Sequence, residues 1–247
     1  EWWPKPIEKA VVLSSVRSTG WIEAMYRADS DIMIKHLTVE VPVNTVQDVW
    51  LESFKKRIKF TIPASCLTAD TISSVIMIKI STVSGYTGVD ISDIFTTIGS
   101  NKRRIAVTNS GKLTQYNVEV EYWDSTNKIG YIWFGMINLS SSSDNVYYLY
   151  YDSKIDNVRY VSADTTVTSV KGRWAWSGIY FNTYHLNQNP TIAAPQIKDS
   201  LKNNHGTVTG MVSGDLISTV AKFGAGSAYF DGTGDYLVGN GGQGLGG

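Results

Sequence analysis

The chain has 247 residues, 43% of them hydrophobic, which is enough apolar material for one or two packed domains and excludes a wholly disordered chain. Lys plus Arg total 22 and Asp plus Glu total 22, so the formal net charge is zero and the basic excess that nucleic-acid backbone binding demands is missing. The single cysteine, Cys66, excludes an internal disulfide and a zinc cluster built on cysteine; it reads as a small buried hydrophobe near a strand end.

The first residues, Glu1-Trp2-Trp3-Pro4-Lys5-Pro6, have no basic end leading into an apolar stretch and do not read as a signal peptide. The apolar stretch Val75 to Ile78 stops at Lys79, and no run approaches the roughly 18 residues a membrane-crossing helix needs. Residues 1–53 carry most of the helix-like signals. Pro6 suits the first turn of a short helix reaching Leu13. Trp21 to Val41 places β-branched and aromatic residues around Asp29-Ser30-Asp31, a hairpin pattern. Thr45 can cap a short helix bearing Val46, Val49, Trp50 and Phe54 on one side.

Residues 54–172 read as strand after strand. Ile58, Phe60 and Ile62 alternate with Arg57, Lys59 and Thr61. Val75 to Ile80 is apolar on both faces, as a covered central strand would be. Ile105 and Val107 alternate with Arg104 and Ala106 up to the turn at Asn109-Ser110-Gly111-Lys112. Val118, Val120 and Tyr122 alternate with Glu119, Glu121 and Trp123. The turn Ser125 to Lys128 then leads into Tyr131 to Phe134, and Val146 to Tyr151 closes the series. Rings on both faces of that last strand, from Tyr147, Tyr148, Tyr150 and Tyr151, predict cover on both sides. Short strands at this spacing, with no βαβ rhythm, predict a sandwich.

From residue 173 the chain turns Gly- and Asn-rich. Trp174-Ala175-Trp176, Ile179-Tyr180-Phe181 and Tyr184-His185-Leu186 come first, and Asp199-Ser200 and Asn203 to Gly206 read as loop and turn. Ser227 to Phe230 is an expected strand, turned by Asp231 to Asp235 into Tyr236-Leu237-Val238. The last nine residues hold six glycines and cannot build a core.

Two linked stretches resemble known families. Phe54 to Ile62, Arg104 to Gly111, Val118 to Asp124 and Tyr147 to Asp152 resemble a β-sandwich domain of uncharacterised function, found in large surface and virion proteins of prokaryotes and their phages. That family usually carries an acidic pair before the Arg-Ile strand; Asn101 and Lys102 stand here, so no role of that pair carries over. Tyr184-His185-Leu186, Asp199-Ser200, Asn203 to Thr207 and Ala228 to Tyr236 resemble the opening strands of a laminin-G-like, concanavalin-A-like jelly roll. A complete jelly roll has about eight strands and this chain supplies two or three, which leaves the loops that bind sugar in that family unmapped. The resemblance spans residues 54–238.

No catalytic or metal constellation emerges. Glu119 and Glu121 lie on one strand face roughly 7 Å apart, wider than the ~5–5.5 Å of a retaining glycosidase pair, and read as a solvated outer face. His36, His185 and His205 form no spaced metal motif, and His185 reads as a packed histidine. Asp231-Gly232-Thr233-Gly234-Asp235 reads as a glycine turn rather than a calcium loop. Trp174, Trp176 and Tyr180 are the candidate glycan-stacking residues, with packing of the junction as the competing role; Trp2, Trp3, Trp21 and Tyr26 are the candidate assembly residues.

The expected fold class is all-β: an antiparallel, jelly-roll-like sandwich at 54–172, a short mixed N-terminal anchoring arm at 1–53, and an incomplete lectin-like sandwich at 173–247. The expected function is a non-catalytic virion structural protein, extracellular, such as a tail, neck or head appendage. Its partners would be other assembly proteins, copies of itself and a cell-surface glycan, with no cofactor, nucleic acid or membrane span. The competing readings are a secreted or cell-surface carbohydrate-binding module of a prokaryote and, resting only on fold analogy, a glycoside hydrolase.

Overall fold

The computed structural model describes residues 10–13, 17–29, 31, 33–40, 51, 54–112, 114–162, 172–176, 180–201, 204–217, 224, 226–239 and 244–245. Strands β1 (Ala10–Leu13), β2 (Lys35–Glu40), β3 (Lys56–Ile62), β4 (Thr71–Ile80) and β5 (Ile105–Asn109) come first in chain order. They are followed by β6 (Gln115–Tyr116), β7 (Val118–Asp124), β8 (Ile129–Leu139), β9 (Asn145–Tyr151) and β10 (Val161–Ser162). The C-terminal strands are β11 (Tyr180–Tyr184), β12 (Gly206–Thr209), β13 (Leu216–Ile217), β14 (Ser227–Ala228), β15 (Tyr236–Gly239) and β16 (Gly244–Leu245). Two helices, α1 (Thr19–Asp29) and α2 (Asp93–Ile98), interrupt them. Among the described residues strand accounts for 42% and helix for 12%, an all-β architecture.

The described residues divide into two units. The larger, from 17 to 162 with 172–176, is a sandwich of a five-stranded sheet in the order β2-β3-β9-β5-β6 and a four-stranded sheet in the order β10-β7-β8-β4. Every pairing in it is antiparallel except β10 with β7. The period-two pattern sets the core. Ile58, Phe60, Ile62, Ile105, Val107 and Leu149 of one sheet meet Ile76, Ile78, Val118, Val120, Ile132 and Phe134 of the other, all fully buried. Phe60 and Phe134 meet across the sheets edge to face, with ring centroids 5.7 Å apart. Helix α2 adds Ile94, Phe95 and Ile98 to the same core.

Both faces of β9 are covered, and within the unit itself. Tyr147 and Tyr151 point into the core, whereas Tyr148 and Tyr150 pack with Phe54 and Ala106 on the other face. Arg57 is buried there, its guanidinium 4.6 Å from the Tyr148 ring and its Nε donating to Glu40 at 2.6 Å. Strand β4 is likewise covered on both faces, but it lies at a sheet edge rather than in the centre, and α1 packs on it.

The N-terminal expectations change most. Trp21 to Asp29, expected as the first arm of a hairpin, is the helix α1. Ser18 starts it, its Oγ accepting the Trp21 N–H at 3.2 Å, and Glu23 and Arg27 pair one turn apart at 2.8 Å. Trp21 and Ala24, three residues apart, form its buried face. The helix expected from Pro6 to Leu13 fails in its described part: Ala10–Leu13 is strand β1, paired with β11. Of the helix expected from Thr45 to Phe54, residues 45–50, 52 and 53 lie outside the described set, and Leu51 and Phe54 are not helical. Within residues 1–53, β2 extends the sandwich sheet beside β3.

The smaller unit joins β1 to residues 180–245. Its sheets are short: β1-β11, β12-β15-β16 and β13-β14. Tyr184, Leu186, Ile197, Val208, Met211, Ala228 and Leu237 form its core.

One close approach tests the sandwich directly. Gly135 of β8 lies beneath the 172–176 segment, and a Cβ there would run into the Ala175 carbonyl and the Val75 side chain. Gly135→Ala is expected to destabilise the protein by about 1–3 kcal/mol in urea unfolding, as overpacking does, whereas Gly214→Ala, with open space around it, is expected to stay near the wild-type midpoint.

Candidate functional site

Two buried polar clusters hold the most chemically capable side chains. The first lies on the outward face of the four-stranded sheet. Glu119 and Glu121 are 2% and 7% exposed, which overturns the solvated face expected for them. The cause is the 3-10 turn Gly172–Ala175, which packs on β7 and β8 and is followed by Trp176. Trp176 is fully buried, and its indole N–H donates to Glu119 Oε2 at 2.5 Å. The Trp133 indole N–H donates to Glu121 Oε2 at 2.5 Å, and the two indole rings are tilted against each other, 5.3 Å between centroids.

A β-bulge builds this arrangement. In the β7–β8 ladder Val120 faces Ile132 and Tyr122 faces Tyr131, so Glu121 has no residue opposite it. The extra residue inverts the alternation expected along β7. Tyr122 leaves the core side and meets the Tyr131 ring at 6.3 Å. Trp123 turns inward to Phe95, 4.5 Å between centroids, and donates its indole N–H to the Gly99 carbonyl at 2.9 Å.

The second cluster is in the smaller unit, where Asp199 is 1% exposed. Its Oδ1 accepts the Thr183 and Leu201 N–H groups at 2.8 and 3.1 Å; its Oδ2 accepts the Asn182 side-chain amide and the Asn204 N–H at 3.1 and 3.2 Å. His205 Nδ1 accepts the Asp199 N–H at 3.1 Å, and the Tyr184 hydroxyl donates to the Asn204 carbonyl at 2.5 Å. Burial, helped by the Asp199 charge, pushes the Tyr184 hydroxyl up to about 12, so it stays a donor at ordinary pH. The cluster ties β11 to the segment before β12. Sequence reasoning read Asp199 as part of a loop and of the jelly-roll resemblance but gave it no site role; its signal was an Asp a few residues before Asn204 and His205 in a stretch rich in turn residues.

The other candidates are placed as follows. Trp174 is 47% exposed, whereas Trp176 and Tyr180 are buried, so of the three only Trp174 presents a ring to solvent. Trp21 is buried and Tyr26 is 67% exposed; Trp2 and Trp3 lie outside the described residues. The residues 172–176, expected at the start of the C-terminal module, belong to the sandwich. His185 is buried, His36 lies on β2 and His205 accepts from Asp199. Cys66 is half-buried in a 3-10 turn after β3, packed at the edge of the core rather than enclosed by it. In the 231–235 turn, Asp231 Oδ1 accepts the Thr233 N–H at 2.6 Å and Asp235 Oδ2 accepts the Asp231 N–H at 3.1 Å, while Gly232 and Gly234 take positive φ. Among the described residues no three of His, Cys, Asp and Glu gather as a metal site, and no helix is long and apolar enough to cross a membrane.

Comparison with known families, curated proteins and solved structures gives no significant match to this chain.

The indole donors carry a measurable consequence. Trp176→Phe keeps an aromatic ring but removes a donor from a buried carboxylate, and is expected to cost about 1–3 kcal/mol in urea unfolding. Glu119→Gln retains an acceptor and is expected to cost less. Asp199→Asn places an amide where backbone N–H groups converge and is expected to cost a similar 1–3 kcal/mol or so, read as loss of protection at the Thr183 and Asn204 amides in hydrogen exchange.

Proposed function

We propose that the chain is a non-catalytic structural component of a surface or virion assembly, with the sandwich as a rigid spacer and the C-terminal unit as a lectin-like display module. The observation that carries this reading is the disposition of the acids. Glu119, Glu121 and Asp199 are buried and held by donors of their own unit, so their chemistry goes into fixing segments of the fold. Exposure on α1 supports the assembly role: Ile22 and Tyr26, one turn apart, are 57% and 67% exposed. The resemblance of residues 54–152 to prokaryotic and phage surface domains supports the extracellular, virion-borne setting.

Because β1 and β2 are paired within the two units, removing residues 1–53 would damage the fold along with any interface. The cleaner test is a pair of surface substitutions, Ile22→Ser and Tyr26→Ser, with mass measured by light scattering. Self-association through α1 predicts an oligomer that falls to monomer in the double variant, with an unchanged circular dichroism spectrum. A monomeric wild type removes that interface.

The exposed ring of Trp174 favours a second reading, a secreted or cell-surface carbohydrate-binding module. Stacking of a sugar ring on it predicts that Trp174→Ala weakens binding on a glycan array at least about tenfold, in line with the energy of an aromatic contact. Equal binding by both proteins assigns recognition elsewhere.

A further inference from the structure

The connection between β4 and α2 is a tight turn docked on the connection between α1 and β2. Ser84 and Val89 exchange both backbone hydrogen bonds at 3.0 Å, and Gly85 and Gly88 between them take φ of 64° and 65°. The Ser84 hydroxyl secures the base of the turn by accepting the Ser81 N–H at 2.9 Å. Two bonds dock it: the Tyr86 N–H donates to the Ile34 carbonyl at 3.1 Å, and the Gly85 N–H donates to Asp31 Oδ2 at 3.0 Å. The turn carries Val83 and Tyr86 at the surface, 58% and 48% exposed.

Asp31 is unusual in two ways. Its φ is 54°, a left-handed conformation that Asp tolerates better than most residues. Its second oxygen, Oδ1, is buried and has no hydrogen-bond partner among the described residues. A carboxylate in that position gives up hydration without full replacement, whereas a carboxylic acid does so at much lower cost.

We propose that Asp31 is a proton-operated latch: its protonated side chain holds the Ser81–Val89 turn in place, and its ionisation loosens the turn and changes how Val83 and Tyr86 are presented.

Burial raises the Asp31 carboxyl from 3.8 to about 6, against the Gly85 N–H and the charge of Lys79 on β4, which both pull it down. A carboxyl raised in the docked state favours docking most strongly below about pH 4. That contribution fades as pH climbs to about 6 and is constant beyond. For an undocked Asp31 that titrates at 3.8, these values predict about a tenfold rise in the opening equilibrium between pH 5 and pH 7.5.

The test is hydrogen exchange by NMR, each amide rate divided by its intrinsic rate at that pH. Wild-type protein should lose about tenfold protection at Gly85 and Tyr86 over this range, while the amides of Ile132 and Phe134 in the core hold theirs. Asp31→Asn should abolish the change. Lys79→Gln, which removes the opposing charge and leaves the latch intact, should move its midpoint upward. A flat wild-type profile, the same fall in Asp31→Asn, or an unmoved midpoint in Lys79→Gln each overturns the latch.

Discussion

A strand in a sandwich satisfies its backbone through its neighbours, yet each outward side chain still needs water or a cover. Strands β7 and β8 take the second course. Ile132 and Phe134 face the core while Trp133 faces outward, and all three are buried. The cover is the short 172–176 segment, and it can lie there only because the two acids beneath it each meet an indole N–H. An unpartnered carboxylate under such a lid would cost more than the apolar contacts return. The bulge falls at the second of these acids, so Glu121 has no β8 residue directly opposite it. Gly135 leaves room for the Ala175 carbonyl.

The smaller unit applies the same rule to backbone groups. Its strands run from two to five residues, too short to pair off all their amides, and its apolar cluster is small. Asp199 stands in for the missing ladder by collecting N–H groups from Thr183, Leu201 and Asn204 on one carboxylate. A charged acceptor is stronger than a neutral one, so one side chain can order its own loop and tie it to β11.

The sandwich strands were legible because their periodicity is local. Ile58-Phe60-Ile62 and Ile105-Val107 alternate over stretches that stay in register with their partners. β7 was misread beyond Val120 because a bulge is a property of a strand pair and leaves no mark in one strand's alternation. The same blindness hid the burial of Glu119 and Glu121, whose cover lies some fifty residues downstream in the chain. At α1 the β-branched and aromatic content of the surrounding stretch suggested strand, and the Ser18 cap that starts the helix went unread. β1 is a strand by virtue of its pairing with β11, a contact no window of residues 6–13 can contain. Of the candidate site residues, aromatic type was readable but exposure was not: Trp174 and Trp176 differ by two positions and sit at opposite extremes of burial.

The 172–176 segment has a mechanical side as well. Trp176 is the last described residue of the sandwich before the chain enters β11 of the other unit. The chain therefore leaves the sandwich from a residue held by the Trp176–Glu119 bond and by indole packing on Trp133, side-chain contacts rather than a strand ladder.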